Sequence, residues 1–142
     1  MTKGAGEDLA GLAERLLERD YQVMIETSGA HPVDRLPPGV VRIVDVKTPA
    51  SGEGHRVRWE VLDGLRPGDA IKFVVADERD YRWAAAAIAE RRLAQKAEVL
   101  LSPVHGQLDP RDLVAWMLRD RVPARLNLQL HKYIWGRDTQ GV

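Results

Sequence analysis

Two periodicities divide the apolar positions of this chain. Residues 7–19 carry Leu9, Leu12, Ala13, Leu16 and Leu17 at helical spacing, which predicts an amphipathic helix ended by Asp20. The runs 21–25, 40–46, 70–76, 98–102 and 125–130 are short and apolar, as buried strands are. Two helices fall between the later strands. Asp77 caps the first, with Asp80 in its first turn and Tyr81, Ala84, Ala85 and Ile88 inward. The second starts at Asp109-Pro110-x-Asp112, which is an N-cap, a proline at the first helical position and an acid near the positive end of the dipole. It runs over 112–120 with Leu113, Trp116 and Met117 inward. Residues 54–68 are the hardest to read. Trp59, Val61, Leu62 and Leu65 fit a short helix under the sheet, and Arg66-Pro67-Gly68-Asp69 fits a turn. Pro32, Pro37 and Pro38 stiffen a loop over 31–39, and residues 1–6 read as disordered.

The later half thus runs β-α-β-α-β. By the right-handed crossover rule it folds as an α/β unit with a parallel sheet and helices over it. A helix that feeds the first strand implies an earlier parallel strand, which the sequence does not supply. Pro103, with no N–H, is expected to stop the fourth strand's ladder. Each strand ends in polar residues: Glu26 and Ser28; Asp45, Lys47 and Thr48; Asp77; Ser102 and His105; Gln129, His131 and Lys132. In a parallel sheet these fall on one edge, where open α/β sheets bind ligands. Polar residues also end strands for solubility alone, and the loop 103–108 reads equally as an ordinary connection with a solvated histidine.

Some of these residues have a definite chemistry. Glu26 with Ser28 can accept hydrogen bonds from a ribose diol or an amine, or Ser28 can serve a turn while Glu26 pairs with an arginine. Asp45 lies inside an apolar strand and needs a partner, for which Lys47 is on the same face at period two. That pair can be purely structural. The Ser, Gly and Glu loop after Thr48-Pro49 offers backbone amides to an anion or cofactor.

Composition narrows the classes. A chain of 142 residues suits one domain, and 21 basic against 21 acidic residues give no field that favours nucleic acid or an acidic membrane. The absence of cysteine excludes disulfides and Cys-ligated zinc or iron–sulfur sites within the chain. No apolar run has transmembrane length and no signal peptide opens the chain, so a cytoplasmic location is expected. His31 and His55 read as solvated loop residues, and the four histidines show no close pairing for a metal. There is no repeat, Gly-rich nucleotide fingerprint, P-loop or serine elbow.

Taken together, Glu26-Thr-Ser-Gly29, Asp45-Val-Lys47, Ser102-Pro-Val-His105 and Gln129-Leu-His131-Lys132 resemble the 7-carboxy-7-deazaguanine synthases, with similarity over residues 9–135. The resemblance implies an incomplete, partly open α/β barrel of the radical S-adenosylmethionine type. It also implies a cytoplasmic homodimeric enzyme of queuosine and 7-deazapurine biosynthesis. In that family a 4Fe–4S cluster cleaves S-adenosylmethionine to a radical that acts on 6-carboxy-5,6,7,8-tetrahydropterin. A magnesium-assisted ring contraction with loss of ammonia follows. By motif, Glu26 and Ser28 would approach the adenosyl ribose or the methionyl amine. Asp45, Val46 and Lys47 would line the S-adenosylmethionine site, and Ser102, Pro103, Val104 and His105 would close over the adenine. Gln129 and His131 would lie toward the pterin substrate, and no residue is assigned to a metal.

The departures are as specific. The family's three-cysteine motif and its Gly-Gly-Glu segment are absent, and MTKGAGE lies too close to Glu26 to be the latter. The missing strand and the missing motifs therefore amount to one expectation: a single truncated barrel domain over 1–142, without the cluster-binding part. Two rival readings follow, a catalytically inactive module that binds nucleosides or pterins and a structural remnant.

Overall fold

The computed structural model describes residues 5–28, 35–53 and 57–141. Residues 1–4 of the segment that reads as disordered, together with His31 and His55, lie outside them. Helix α1 spans Ala5–Glu18, so Ala5 and Gly6 are helical, and strand β1 spans Met24–Thr27. Strand β2 (Val41–Val46) follows, then short 3-10 turns at Pro49–Ser51 and Trp59–Gly64, and strand β3 (Ala70–Val75). Next come α2 (Glu78–Glu90), α3 (Leu93–Lys96), β4 (Glu98–Pro103), α4 (Pro110–Asp120), β5 (Arg125–Leu126) and α5 (Leu130–Trp135).

All four neighbouring pairs are parallel, and the five strands lie in sequence order, β1-β2-β3-β4-β5. A doubly wound sheet reverses its order at a switch point. This one never reverses, which is how a (β/α) barrel winds. Side chains alternate across each strand, so register assigns every residue to one of two faces. On the first, Val44, Val46, Ile71, Phe73, Val75, Val99 and Leu101 pack with Leu62 and Leu65 below β3, Tyr81, Ala84 and Ile88 of α2, and Leu113 and Met117 of α4. Ala84 and Ala87 of α2 are buried in the same core, and Trp83 fills the margin against Phe73 and Trp59. The Tyr81 hydroxyl binds α4 as well, 2.8 Å from Asp120 Oδ2 and 3.0 Å from the Trp116 carbonyl. The expected short helix at 59–65 and the Asp77 and Asp109 caps are all present.

Three boundaries differ from expectation. Strand β1 starts at Met24, so Tyr21 and Gln22 precede the sheet. Pro103 remains in the ladder as the partner of Val75, because the next amide, Val104 N, reaches the Val75 carbonyl at 2.9 Å. The strand expected over 125–130 stops at Leu126, and Leu130 opens α5 instead. Register explains the stop. Leu101 pairs with Leu126, so position 128 falls opposite Pro103, which has no N–H to share. Gln129 and His131 therefore belong to the start of a helix and not to a strand end.

Candidate functional site

The second face of the sheet is built differently. The register aligns Asp45 with Lys72, Lys72 with Leu100, and Val74 with Ser102, while Glu26 lies beside Ile43 on the same face. The side opposite the core therefore carries Glu26, Asp45, Lys72 and Ser102. The Lys72 side chain is only 7% exposed, and its ammonium pairs with Glu26, whose side chain is 52% exposed. Lys47 Nζ takes Asp45 Oδ2 at 2.8 Å, so two lysines and two carboxylates form separate pairs. The pairing of Asp45 with Lys47 agrees with their period-two spacing. Glu26 takes a lysine from β3 where an arginine was the alternative.

Farther along the carboxyl edge, some polar residues do structural work. The Ser102 hydroxyl donates to the Asn127 carbonyl and accepts from Asn127 Nδ2 at 3.0 Å, which ties β4 to the chain beyond β5. Thr48 turns to the core side and donates to Asp80 Oδ2 at 2.9 Å. Asp80 is buried and also accepts from Ala50 N and Ala76 N, each at 3.0 Å. One carboxylate thus fastens the Thr48–Ser51 loop to the end of β3 and the start of α2. Asp77 is occupied in capping α2 through Asp80 N.

Two buried polar atoms on this edge have no hydrogen-bond partner in the protein: Asp45 Oδ1 and His105 Nδ1. The His105 ring meets Tyr133 of α5 edge-on, with centroids 4.7 Å apart. His105 is therefore half-buried against α5, not simply solvated as an ordinary loop histidine would be. Gly106 takes a φ of 81°, which turns the loop after His105 in a conformation that favours glycine. Beside Asp45 lies a cleft of about 280 Å³, lined by Val46, Lys47, Ala50, Val74, Val104 and Gln107 among others.

The structure thus brings four of the sequence-assigned positions, Asp45, Val46, Lys47 and Val104, into one cleft. Glu26 stands on the same sheet face, Ser102 is locked to Asn127, Ser28 is exposed, and Pro103 is buried in the strand. Gln129 and His131 sit at the head of α5. Sequence reasoning missed Lys72, although a lysine within AIKFVVA carries the same signal as an aspartate within VVRIVDV. It also took Asp80 for a simple first-turn acid. No group of three His, Cys, Asp or Glu side chains among the described residues could hold a metal ion. None of their helices is long and apolar enough to cross a membrane.

A cleft lined by the Asp45 carboxylate with a lysine at its rim has the chemistry to take hydroxyl or amine donors, as an S-adenosylmethionine-type molecule offers. These residues do not fit an iron–sulfur cluster, because the chain has no cysteine thiolate.

Comparison with known proteins gives this geometry a family. No protein-family model matches the chain. It is 44% identical over 148 residues to the 7-carboxy-7-deazaguanine synthase of Koribacter versatilis, covering 95% of this chain and 66% of that protein. It is 45% identical over 135 residues to that of Chlorobaculum tepidum, covering 93% and 61%. With the enzyme of Clostridium acetobutylicum the identity is 30% over 154 residues, covering all of this chain and 69% of the relative. The crystal structure of QueE from Escherichia coli superposes with a TM-score of 0.65 at 25% identity, over 85% of this chain and 50% of that one. The chain spans about three fifths to two thirds of these curated relatives, and its sequentially wound sheet is part of an incomplete radical S-adenosylmethionine barrel. This chain belongs to the 7-carboxy-7-deazaguanine synthase family.

Proposed function

We propose that the chain forms the S-adenosylmethionine- and substrate-facing part of a 7-carboxy-7-deazaguanine synthase. Such an enzyme is a lyase of queuosine biosynthesis that contracts a 6-carboxytetrahydropterin with loss of ammonia. The observation that carries the reading is the cleft, where Asp45, Val46, Lys47 and Val104 converge from two strand ends. The partly exposed Asp45 carboxylate accepts from a ribose hydroxyl or an amine, and Lys47 orients it through Oδ2. The Thr48–Ser51 loop, fixed by Asp80, forms one wall, and Val104 the other. Glu26 and Ser28 reach the ribose or the methionyl amine, and Ser102 to His105 close toward the adenine. Gln129 and His131, carried by α5, face the pterin. S-adenosylmethionine, held by these residues, would supply radical chemistry only with a cluster bound outside this chain's own side chains. The chain has no thiolate for that cluster, and no magnesium ligand is assigned among the described residues. A homodimer in the cytoplasm is part of the same proposal.

A second reading is a non-catalytic nucleoside- or pterin-binding module, favoured by one observation: the cleft is kept although the chain has no cysteine. Both readings require binding. Ligand-observed NMR with S-adenosylhomocysteine should show weak affinity, roughly millimolar, since the anchor on a cluster iron is absent. Lys47→Ala should weaken it, while Glu60→Ala, beyond the opposite edge, should not. Binding that survives Lys47→Ala but is lost in Glu60→Ala would place the site elsewhere.

A further inference from the structure

Lys72 has no place in the roles described above, yet it is the most buried charged side chain on the open face of the sheet. It sits in the middle strand, and a buried ammonium is tolerated only with a partner. Two carboxylates are within its layer. Asp45 is its register neighbour on β2, but Asp45 Oδ2 belongs to Lys47. Lys72 instead reaches past β2 to Glu26 on β1.

The burial of this pair is lopsided, 7% for the Lys72 side chain and 52% for Glu26. An exposed glutamate on a four-residue strand at the sheet margin would otherwise sample several rotamers. The lysine stem is packed on the sheet, so its ammonium is a fixed post. Glu26 is held by one oxygen at that post, and its half-exposed side leaves carboxylate surface open to a ligand.

We propose that Lys72 is a positioning residue. It acts on ligand through Glu26, by holding that carboxylate over the open sheet face in the orientation in which it accepts from a ribose diol or an amine. The inference rests on the cleft being a nucleoside-binding site. It adds that affinity depends on a lysine with no ligand contact of its own. Charge is matched, because Lys72 with Glu26 and Lys47 with Asp45 leave the layer neutral, so it favours uncharged hydroxyls and single amines over phosphates.

The test is a double-mutant cycle read by titration with S-adenosylhomocysteine. Glu26→Gln should weaken binding roughly tenfold, the lower end for losing a charge-assisted hydrogen bond. Lys72→Met, which keeps the apolar stem, should weaken it about as much, and the double variant no further than the worse single. Lys72→Arg should recover part of the loss by restoring a cation. If Lys72→Met does not fold, Lys72→Gln takes its place in the cycle. Two results overturn the proposal: additive losses, which would mean that Lys72 touches ligand directly, and unchanged affinity in a thermally destabilised Lys72→Met, which would make the lysine structural only. If the parent chain itself fails to bind, the reading of the cleft falls and takes this inference with it. Parent binding that ignores Lys72 removes the inference alone.

Discussion

The two edges of the sheet each carry an aspartate with little exposure, and the two carboxylates meet different surroundings. At the amino edge Asp69 accepts from Arg42 N and Arg66 N, each at 2.9 Å, one on each oxygen. The Arg42 guanidinium then reaches the carbonyls of Val40 at 3.0 Å and Leu36 at 2.9 Å, which pins the loop entering β2. Every oxygen of Asp69 is answered by backbone. At the carboxyl edge Asp45 is 14% exposed; one oxygen holds Lys47 and the other, buried, holds nothing in the protein. An unanswered buried acceptor costs on the order of 1–3 kcal/mol, so the Asp45 carboxylate gives up stability that Asp69 keeps. In barrel folds the bottom face serves stability and the top face chemistry, and the proposed site follows that division.

The carboxyl edge is not uniform, and Asp80 marks where its stabilising part meets the cleft. The largest loss of stability should follow from Asp80→Ala. It abandons Ala50 N and Ala76 N together and leaves Thr48 Oγ1 only the Val74 carbonyl, so about 3 kcal/mol of stability should go, measured by urea denaturation. Because Asp80 also holds a wall of the cleft, nucleoside affinity should fall beyond what the unfolded fraction explains. Asp69→Ala should cost about 2 kcal/mol by the same measurement and leave the affinity of the folded fraction unchanged. A loss of affinity there would break the contrast between the edges.

Asp45→Ala sharpens the contrast from the other side. Its partly exposed ion pair contributes about 0–1 kcal/mol and its second oxygen is a liability, so stability should stay within about 1 kcal/mol of the parent. Affinity for S-adenosylhomocysteine should nevertheless drop roughly tenfold. The smallest effect is expected where α4 meets α2. Asp120 is pushed down to about 2 from 3.8, first by hydrogen bonding to Arg119 and then to Tyr81. Burial, and next the hydrogen bond to Asp120, drive the Tyr81 hydroxyl pKa upward. A depressed folded-state pKa contributes stability that is fully present above about pH 4 and fades as the pH falls through about 2. Asp120→Asn should flatten that part of the acid unfolding curve, followed by circular dichroism, with a small loss of stability at pH 7, where the contribution is fully present, and no difference from the parent below about pH 2.

Much of the site was legible because charged residues in apolar strands need a reason. Asp45 and Lys47 sit two apart, and period two alone placed them on one face and in contact. Lys72 carried an equal signal, but its partner is 46 residues away in sequence, and only strand order brings Glu26 within reach. Asp80 read as a helix-start acid, which it is by position. Its bonds to Thr48 and Ala50 depend on where the β2 loop lands.

The sequence by itself determined the parallel α/β class, the core faces of α2 and α4, both aspartate caps and the strand ends on which the candidate site stands. These follow from local periodicity and from side-chain groups that bond within a few residues. Tertiary structure decided the rest. It set the sequential strand order that makes a barrel segment, and it ended β5 before the position opposite Pro103, so that Gln129 and His131 ride a helix. It also sorted two lysines among two carboxylates and left one oxygen of Asp45 unanswered. Each of these depends on register between strands distant in sequence, and a single chain's pattern specifies which face a residue takes without specifying which neighbour it meets there.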